Sequence, residues 1–263
     1  MELPGWAQGV DTERASAARI YDYLLGGSHN FAADREVARQ ALAAMPDVAV
    51  QAKANRHFLR RAVRYLDGIG LRQYLDLGSG IPTQGNVHEI APQARVVYVD
   101  VDPIAVAHGR QLLAGHERAL CLQADFRRPA EILADPSVRG MLALDEPVAV
   151  LLVAVLHAVP DADDPFRTVA DLRDALPPGS HLVVAHGTAD SRPDTSDELV
   201  RVSKRTTTPL TPRPRPEVLR FFDGWELVEP GLVWAPEWRP DDDPIPGDPA
   251  ASGNLAGVGR KPG

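Results

Sequence analysis

Apolar residues recur every three or four positions through the first quarter of the chain, a spacing typical of helices. The first stripe covers 13–25 and ends at Gly26-Gly27, and two further stripes cover 31–45 and 48–66. In the first stripe the apolar positions are Ala17, Ile20, Tyr21, Leu24 and Leu25. We therefore predict that residues 1–67 form a helical cap that packs on the rest of the chain.

Short runs rich in Val and Leu alternate with helical stretches from residue 73 to residue 186. Runs of this kind, separated by helices, are typical of a parallel sheet that helices cover on both faces. Right-handed crossovers between the strands then give a doubly wound, Rossmann-like α/β sheet. The predicted strands are 73–78, 95–100, 119–125, 147–155 and 180–187, and the predicted helices are about 84–91, 103–114, 129–135 and 165–176.

The chain changes character after residue 187. Ten prolines lie between Pro209 and Pro249 and exclude regular structure through most of that stretch. LAGVGR (255–260) fits a final short strand and a frayed tail equally well. We expect 68–263 to form the core of one structural domain, with a Pro-rich insertion at about 187–222. The other elements predicted here are helices at about 195–205 and 216–222, a strand pair at 225–230 and 232–238, and an exposed loop at 240–249.

Composition narrows the classes of protein. The 263 residues carry 28 Lys and Arg against 36 Asp and Glu, a net charge of −8, whereas a nucleic-acid-wrapping surface must neutralise phosphates with basic residues. One cysteine, Cys121, excludes an intramolecular disulfide, and the eight histidines show no metal-ligand spacing. The longest apolar run, 148–156, is too short for a bilayer span, and no secretory signal is visible. We expect a cytoplasmic protein with no metal, nucleic-acid or membrane partner, and its oligomeric state stays open.

Glycines and acidic residues cluster where the predicted strands end. LDLGSG (75–80) closes the first strand, where glycines let the backbone approach a ligand and the next helix offers free N–H groups. Asp100 ends the second strand, and a carboxylate there can accept both ribose hydroxyls of a nucleoside. Asp125 ends the third strand and could accept from an adenine amino group, with Phe126 on the ring, or could simply cap a turn.

The same loop argues against a dinucleotide. A pyrophosphate site needs a third glycine, but this sequence has Thr83 there and Pro82 stiffens the turn. Asp76 and Asp100 would repel a pyrophosphate, yet both suit an ammonium, ribose hydroxyls and a sulfonium. A nucleoside that carries an amino-acid tail fits this pattern better.

With these residues, the sequence resembles a class I S-adenosylmethionine-dependent methyltransferase. More narrowly, it is similar to an actinobacterial "S-adenosyl methyltransferase" family, formerly a domain of unknown function. LDLGSG and the acid after the next strand belong to the whole superfamily, whereas LLGGSHNF (24–31) and GIPTQGNVHE (80–89) are specific to the narrow family. The resemblance covers nearly the whole chain. Further matching segments are 19–38, 54–66, 96–108, 151–161 and 226–233.

The resemblance implies S-adenosyl-L-methionine as cofactor and a seven-stranded mixed sheet, whose last strand is antiparallel and inserted beside the fifth. It makes LAGVGR that inserted strand. It also implies that the Asp76–Gly80 loop holds the methionine tail, Asp100 the ribose, and Asp125 with Phe126 the adenine. Tyr21, Asn30 and Phe31 would lie over the cofactor, although Tyr21 also fits an apolar stripe and Asn30 a turn. The cofactor-binding candidates are Tyr21, Asn30, Phe31, Asp76, Gly78, Ser79, Gly80, Asp100, Val101, Asp125, Phe126 and Ala154.

Methyl transfer from a sulfonium mainly needs alignment, and a base is needed only for a protonated nucleophile. His157, after the fourth strand, is the catalytic candidate, and its alternative is a structural histidine at the strand end. His186 is a weaker candidate. Arg213 and Arg215 either line a substrate mouth for an acidic group or are structural.

Two charged clusters have simpler interpretations. Asp161, Asp163 and Asp164 could hold a hard cation, but a solvated loop with a helix N-cap near Pro165 fits as well. Arg60, Arg61 and Arg64 are expected to form a solvated helix face.

Our main hypothesis is a methyltransferase acting on an unidentified small-molecule acceptor. A non-catalytic S-adenosylmethionine-binding sensor or regulator would use the same pocket, because no residue is unmistakably a base. An NAD-dependent oxidoreductase is a third hypothesis, and Thr83 disfavours it.

Overall fold

The structure is a computed structural model of the 263-residue chain. It describes residues 11–82, 85–188, 190, 200–204, 206, 209–242 and 247–263. Most of the helix predicted at about 195–205 lies outside the described residues, and its described part at 200–203 is helical.

A doubly wound mixed sheet forms the centre of the fold, as predicted. Within the described residues its strands run in the order β3-β2-β1-β4-β5-β8-β6, and β7 also pairs with β8. The first five strands are parallel, and β8 is antiparallel to β5. The strands are β1 Gln73–Leu77, β2 Arg95–Asp100, β3 Ala119–Gln123, β4 Ala149–Val153, β5 His181–Gly187, β6 Glu226–Leu227, β7 Val233–Trp234 and β8 Asn254–Arg260.

The C-terminal segment is a strand and not a tail, because β8 inserts between β5 and the two short edge strands. The expectation of seven strands is wrong by one, since eight are present in the described chain. The predicted pair at 225–230 and 232–238 forms β6 and β7, which bond to β8 and not to each other. Pro230 and Pro236 lie shortly after these strands and have no N–H to donate, so neither strand can continue through its proline.

Helices cover both faces of the sheet. Local capping sets several of their ends: α5 and α8 each start with a proline behind an aspartate whose carboxylate accepts a backbone N–H. The helix α7 was not predicted, and it starts in the same way at Asp135. The helices are α1 Ala17–Leu24, α2 Ala32–Ala44, α3 Val48–Gly68, α4 Val87–Ile90, α5 Pro103–Leu112, α6 Pro129–Ala134, α7 Pro136–Met141, α8 Pro165–Ala175 and α9 Arg215–Arg220.

The alternation of side chains along the strands divides the apolar core into two layers. One layer packs under α3, α4 and α5, and the other packs under α6 to α9. Asp76 and Asp100 alternate with the second layer, so both carboxylates lie on the α3 side, where Tyr74 and Tyr98 are buried. The packing of α3 therefore decides what surrounds them.

Arg61 on α3 corrects one expectation. Its guanidinium is buried and donates to the carbonyls of Ala235 (2.6 Å) and Trp238 (2.9 Å), so this arginine is not on a solvated face. Those carbonyls belong to a 3₁₀ turn, and buried carbonyl oxygens need hydrogen-bond donors, which Arg61 supplies. Arg64 is half exposed and pairs with Asp241 at 3.2 Å, as a surface arginine should.

Candidate functional site

The loop after β1 lies against the end of β4. The N–H groups of Gly78 and Ser79 donate to the carbonyl of Val99 at 2.8 and 3.1 Å, and this turns the chain sharply. Gly78 has φ +70°, and a Cβ there would lie 2.3 Å from a methyl group of Val155. Gly80 has φ +66°, and a Cβ there would meet nothing within 4 Å. The loop is therefore close-packed at Gly78 and bordered by open space at Gly80.

Asp100 supports this loop from the end of β2. Its carboxylate accepts the N–H of Gly80 at 2.7 Å and the N–H of Asp102 at 2.8 Å. Burial raises the pKa of Asp100 to about 6, although the two N–H donors act in the opposite direction. A carboxylate has about four lone-pair sites, so Asp100 can still accept from a ligand. Val101 next to it is apolar and 58 % exposed, which offers a flat surface to a ring.

Asp76 is the most perturbed carboxyl of the site. It is 7 % exposed, and its carboxylate accepts no hydrogen bond from the described residues. Burial raises its pKa to about 7, the nearby Arg56 guanidinium lowers it, and Asp100 raises it further. An ionised Asp76 therefore needs a cation.

A cavity behind the glycine loop joins these groups. Its lining includes Arg56, Asp76, Ser79, Gly80, Tyr98 and Cys121. Sequence reasoning missed Arg56, which reaches the cavity because α3 packs over this face. The available signal was its spacing, since Arg56 lies one turn before the buried Leu59 on the same helix face.

Asp125 is held by its own turn. Its carboxylate accepts the backbone N–H of Arg127 at 3.0 Å, and the Arg127 guanidinium at 2.6 Å. The hydrogen bonds from the Arg127 side chain hold the pKa of Asp125 below its ordinary value, so the group is a constant acceptor. Arg127 also bonds Asp163 at 2.5 Å, which links the loops after β3 and β4. Phe126 is partly buried against the second core layer.

Two of the three candidates on the N-terminal cap make structural bonds. The Tyr21 hydroxyl donates to the carbonyl of Ala52 at 3.0 Å and accepts from Asn55 at 2.9 Å. The Asn30 amide donates to Asp22 and to Gly27 in a turn. The Asn30 contacts form the turn that the sequence offered as its alternative role, and cofactor binding by Tyr21 and Asn30 stays a prediction.

Phe31 behaves differently, because it packs beside Ile81, Ile104 and Ala105. It therefore brings the cap against the glycine loop and the start of α5. Of the three candidates, Phe31 therefore packs next to the loops of the site, whereas the hydrogen bonds of Tyr21 and Asn30 lie within the cap.

Buried charges clasp the cap to the same loops. Arg19 lies 3.4 Å from Asp34 and 3.7 Å from Asp102, and all three belong to different helices or caps. The Ser16 hydroxyl donates to Asp102, whose own N–H donates to Asp100. A continuous series of contacts therefore joins α1 to the carboxylate at the end of β2.

The segment after β4 carries two candidates. Ala154 has φ +61°, an uncommon conformation for a residue with a Cβ, and its N–H donates to Ala185 at 2.9 Å. His157 lies in the following 3₁₀ turn, and its Nδ1 accepts the N–H of Gly187 at 3.0 Å. Burial lowers the pKa of His157 to about 4, and the Arg213 charge lowers it further. No observation tests whether His157 is catalytic, and that assignment stays a prediction.

Arg213 corrects the idea of a substrate mouth. It is 1 % exposed, and its guanidinium donates to the carbonyls of Leu156 (3.1 Å) and Val159 (2.8 Å). It also bonds Asp161 at 2.6 Å, so that carboxylate is paired and is not part of a cation site. Buried carbonyls of the 3₁₀ turn after β4 need such a donor, which sequence alone cannot indicate.

The neighbouring charged residues are also structural. Arg215 donates to the carbonyl of Leu232 at 2.6 Å and lies over the Trp234 ring. Asp164 caps α8 by accepting the N–H of Arg167 at 3.1 Å, as predicted. The described residues contain no group of three side chains arranged to hold a metal ion. None of the described helices is long and apolar enough to cross a membrane.

The arrangement suits one type of ligand. Asp76, Asp100 and Asp125 lie at or beyond the carboxyl ends of three neighbouring parallel strands, and Asp100 bonds the N–H of Gly80. Asp76 and Asp100 are buried, and Asp76 has no hydrogen-bond partner among the described residues, so they favour a ligand that brings positive charge and hydroxyls. S-adenosylmethionine has both, so the residues fit this cofactor.

Comparison with known proteins agrees with this chemistry. A family model described as S-adenosyl methyltransferase matches residues 5–262. No curated protein matches the chain. A Thermobifida fusca protein, whose own assignment as a methyltransferase is provisional, is 41 % identical over 97 % of this chain and 98 % of that one, with a TM-score of 0.90. A DUF574 family protein from Streptomyces avermitilis is 40 % identical over 96 % and 99 %, with a TM-score of 0.91.

More distant structures share only the fold. The N-methyltransferase NodS from Bradyrhizobium japonicum, crystallised with S-adenosyl-L-homocysteine, is 16 % identical. The alignment covers 93 % of this chain and 100 % of NodS, with a TM-score of 0.54.

Proposed function

The chain belongs to the S-adenosyl methyltransferase family, and from that premise we propose how this S-adenosylmethionine-dependent methyltransferase holds its cofactor and which class of acceptor it methylates. The proposal rests on one observation: three carboxylates lie at or just beyond the ends of three adjacent strands, and one of them bonds the backbone of the glycine loop. The acceptor is a small molecule, since the net charge of −8 opposes nucleic acid as a substrate.

The cavity behind the loop would receive the methionine tail. Asp76 would bind the ammonium, which supplies the cation that this buried carboxyl needs. Arg56 lies on the same cavity wall and would bind the carboxylate of the tail. The backbone at Gly78, Ser79 and Gly80 would lie alongside the tail.

The nucleoside would extend across the strand ends. Asp100 keeps lone pairs for the two ribose hydroxyls, and the exposed Val101 and the end of β4 at Ala154 would cover the adenine. Asp125, which Arg127 keeps ionised, would accept from the adenine amino group, with Phe126 beside the ring. Residues 1–67 would act as the cap, in which Phe31 contacts the site, and Tyr21 and Asn30 keep the cap folded.

When bound, S-adenosylmethionine supplies a methyl group on a positively charged sulfur, so the chain needs no residue to activate a leaving group. Its own residues then orient the two reactants and exclude water. The clasp of Arg19, Asp34 and Asp102 holds the cap against the loop after β2, which serves both tasks. We place the reaction in the cytoplasm.

Calorimetric titration with S-adenosylmethionine, S-adenosylhomocysteine and NAD tests the proposal. We expect the first two to bind and NAD not to bind. D100N should weaken binding about 10- to 100-fold, because charge-assisted hydrogen bonds to the ribose are lost. D135N is the control, since Asp135 caps α7 away from the site and Asn also caps well.

Tight NAD binding without S-adenosylmethionine binding would overturn the proposal in favour of an oxidoreductase. Cofactor binding without turnover of any acceptor would favour the sensor hypothesis. Normal affinity in D100N would remove Asp100 from the ribose site.

A further inference from the structure

His157 is fixed by one contact to its ring and by contacts to the backbone on either side of it. The N–H of Gly187, at the end of β5, donates to its Nδ1 at 3.0 Å. The N–H of Thr211 donates to the His157 carbonyl at 2.6 Å. Arg213 holds the carbonyls of Leu156 and Val159 on either side. The histidine therefore has little freedom to rotate or to shift.

These contacts determine where the ring carries its proton. A backbone N–H can only donate, so Nδ1 must present a lone pair and the proton of a neutral ring must lie on Nε2. A ring in this state has no further lone pair with which to take a proton. Among the described residues, the hydrogen bond to the His157 ring is the one at Nδ1, and Nε2 makes none.

The charged groups around His157 keep the ring neutral. Arg213 lies beside it, and the ring of His186 contacts it edge-on at 5.6 Å between centroids. His186 is itself neutral: its Nδ1–H donates to the Gly187 carbonyl and its Nε2 accepts from Arg213. Asp161 would favour a cationic histidine, but it is bonded to the Arg213 guanidinium and is largely exposed. Protonating His157 would break the Gly187 bond and add a cation next to Arg213.

We propose that His157 is a fixed Nε2–H donor that binds an oxygen atom of the methyl acceptor, and that the acceptor arrives with its nucleophilic lone pair already available. This inference rests on the proposed function and names its substrate class: carboxylates, phenolates or other molecules with an accessible oxygen. The acceptor lone pair forms the new bond to the methyl carbon, and the carbon–sulfur bond breaks with its electron pair on sulfur. An anionic acceptor releases no proton, and His157 neither gains nor loses one. Arg213 is a positioning residue, because it acts only through the turn that holds the histidine.

Nitrogen NMR of the ¹⁵N-histidine-labelled full chain tests the state of the ring without any acceptor. We expect one histidine, absent from the H157Q spectrum, with bare Nδ1, protonated Nε2 and no titration between about pH 5 and 8. H181Q is the matched control, since His181 lies at the opposite end of β5 and should account for a different signal. A proton on Nδ1, or a titration near pH 6 to 7, would overturn the proposal.

A titration with acetate and with methylammonium, at matched ionic strength, tests the donor role. Both probes are small enough that pocket shape should not exclude them. Acetate should shift the His157 Nε2–H signal and methylammonium should not. H157L should weaken acetate binding about tenfold and H157Q less than threefold, because the glutamine amide can donate but cannot act as a base.

The donor role would be overturned if acetate did not shift the His157 Nε2–H signal, or if H157L and H157Q lost the same amount of acetate affinity. Because these measurements need no cofactor, they are independent of the titration with S-adenosylmethionine. If His157 behaves as expected and the cofactor does not bind, the proposed function fails separately.

Discussion

Cofactor affinity should rise with pH because Asp76 must lose a proton before it can pair with an ammonium. With a pKa of about 7, the carboxyl is roughly 3 % ionised at pH 5.5 and about half ionised at pH 7. The affinity for S-adenosylmethionine should therefore increase at least roughly fifteen-fold over this interval, while the α-amino group of the cofactor stays mostly protonated. Ionisation of Asp100, whose pKa is about 6, adds to this rise. S-adenosylhomocysteine should show the same dependence, since it has the same tail and no sulfonium.

Calorimetry in two buffers with different ionisation enthalpies measures the proton directly. Near pH 5.5 the wild-type chain should release between about one and two protons for each cofactor bound, one from Asp76 and part of one from Asp100. D76N should bind about 10- to 100-fold more weakly at pH 7 and lose most of the pH dependence, because the charge-assisted bond is absent. An affinity in the wild type that is flat from pH 5.5 to 7, without proton release, would refute the role of Asp76.

The same carboxyl should destabilise the chain when no cofactor is bound. A pKa that folding raises from 3.8 to about 7 means that the folded state binds more protons than the unfolded state in that interval. The free energy of unfolding therefore falls as the pH rises from about 4 to 7, by up to roughly 4 kcal/mol. D76N should raise Tm by at least about 3 °C at pH 8 and leave it nearly unchanged at pH 4.

Three further substitutions probe the loop, the strand end and the cap. G78A should lower the free energy of unfolding by at least about 2 kcal/mol in a urea titration, because its Cβ would overlap Val155. The control G115A also has positive φ, but its Cβ would meet nothing within 4 Å, so it should cost only about 1 kcal/mol. Equal losses would contradict the close approach at Gly78. R213M should lower the free energy of unfolding by at least about 3 kcal/mol, because it leaves two carbonyls and a histidine without a donor. The control R167M removes an exposed i,i+4 ion pair and should cost less than about 0.5 kcal/mol. Similar losses in the two variants would show that Arg213 is not structural. R19M should speed amide hydrogen exchange in α1 and weaken cofactor binding, because it removes the buried ion pair with Asp34. The control is R39M, which removes an exposed ion pair with Glu36. Unchanged exchange in R19M would show that Arg19 does not hold the cap against the core.

Periodicity and strand-end residues were enough to predict the doubly wound sheet and its acidic edge. Parallel strands must bring their carboxyl ends to one edge, so Asp76 and Asp100, two residues at the ends of separate strands, had to lie near each other. The resemblance to the family added the inserted antiparallel strand, which composition alone left open for LAGVGR. The helix α7 escaped prediction because its six residues have too short a pattern to show a period.

The surroundings of each of these groups depend on contacts between segments that are distant along the chain. Gly187 lies 30 residues from His157, yet its N–H occupies the lone pair that a base would need. Arg56 faces Asp76 because α3 packs on that side of the sheet, and Arg213 is buried because the carbonyls of the turn after β4 require its donors. The order of residues along each strand specifies which chemical groups reach the edge of the sheet. Their protonation, pairing and access depend on burial and on contacts between distant segments, and no local pattern carries that information.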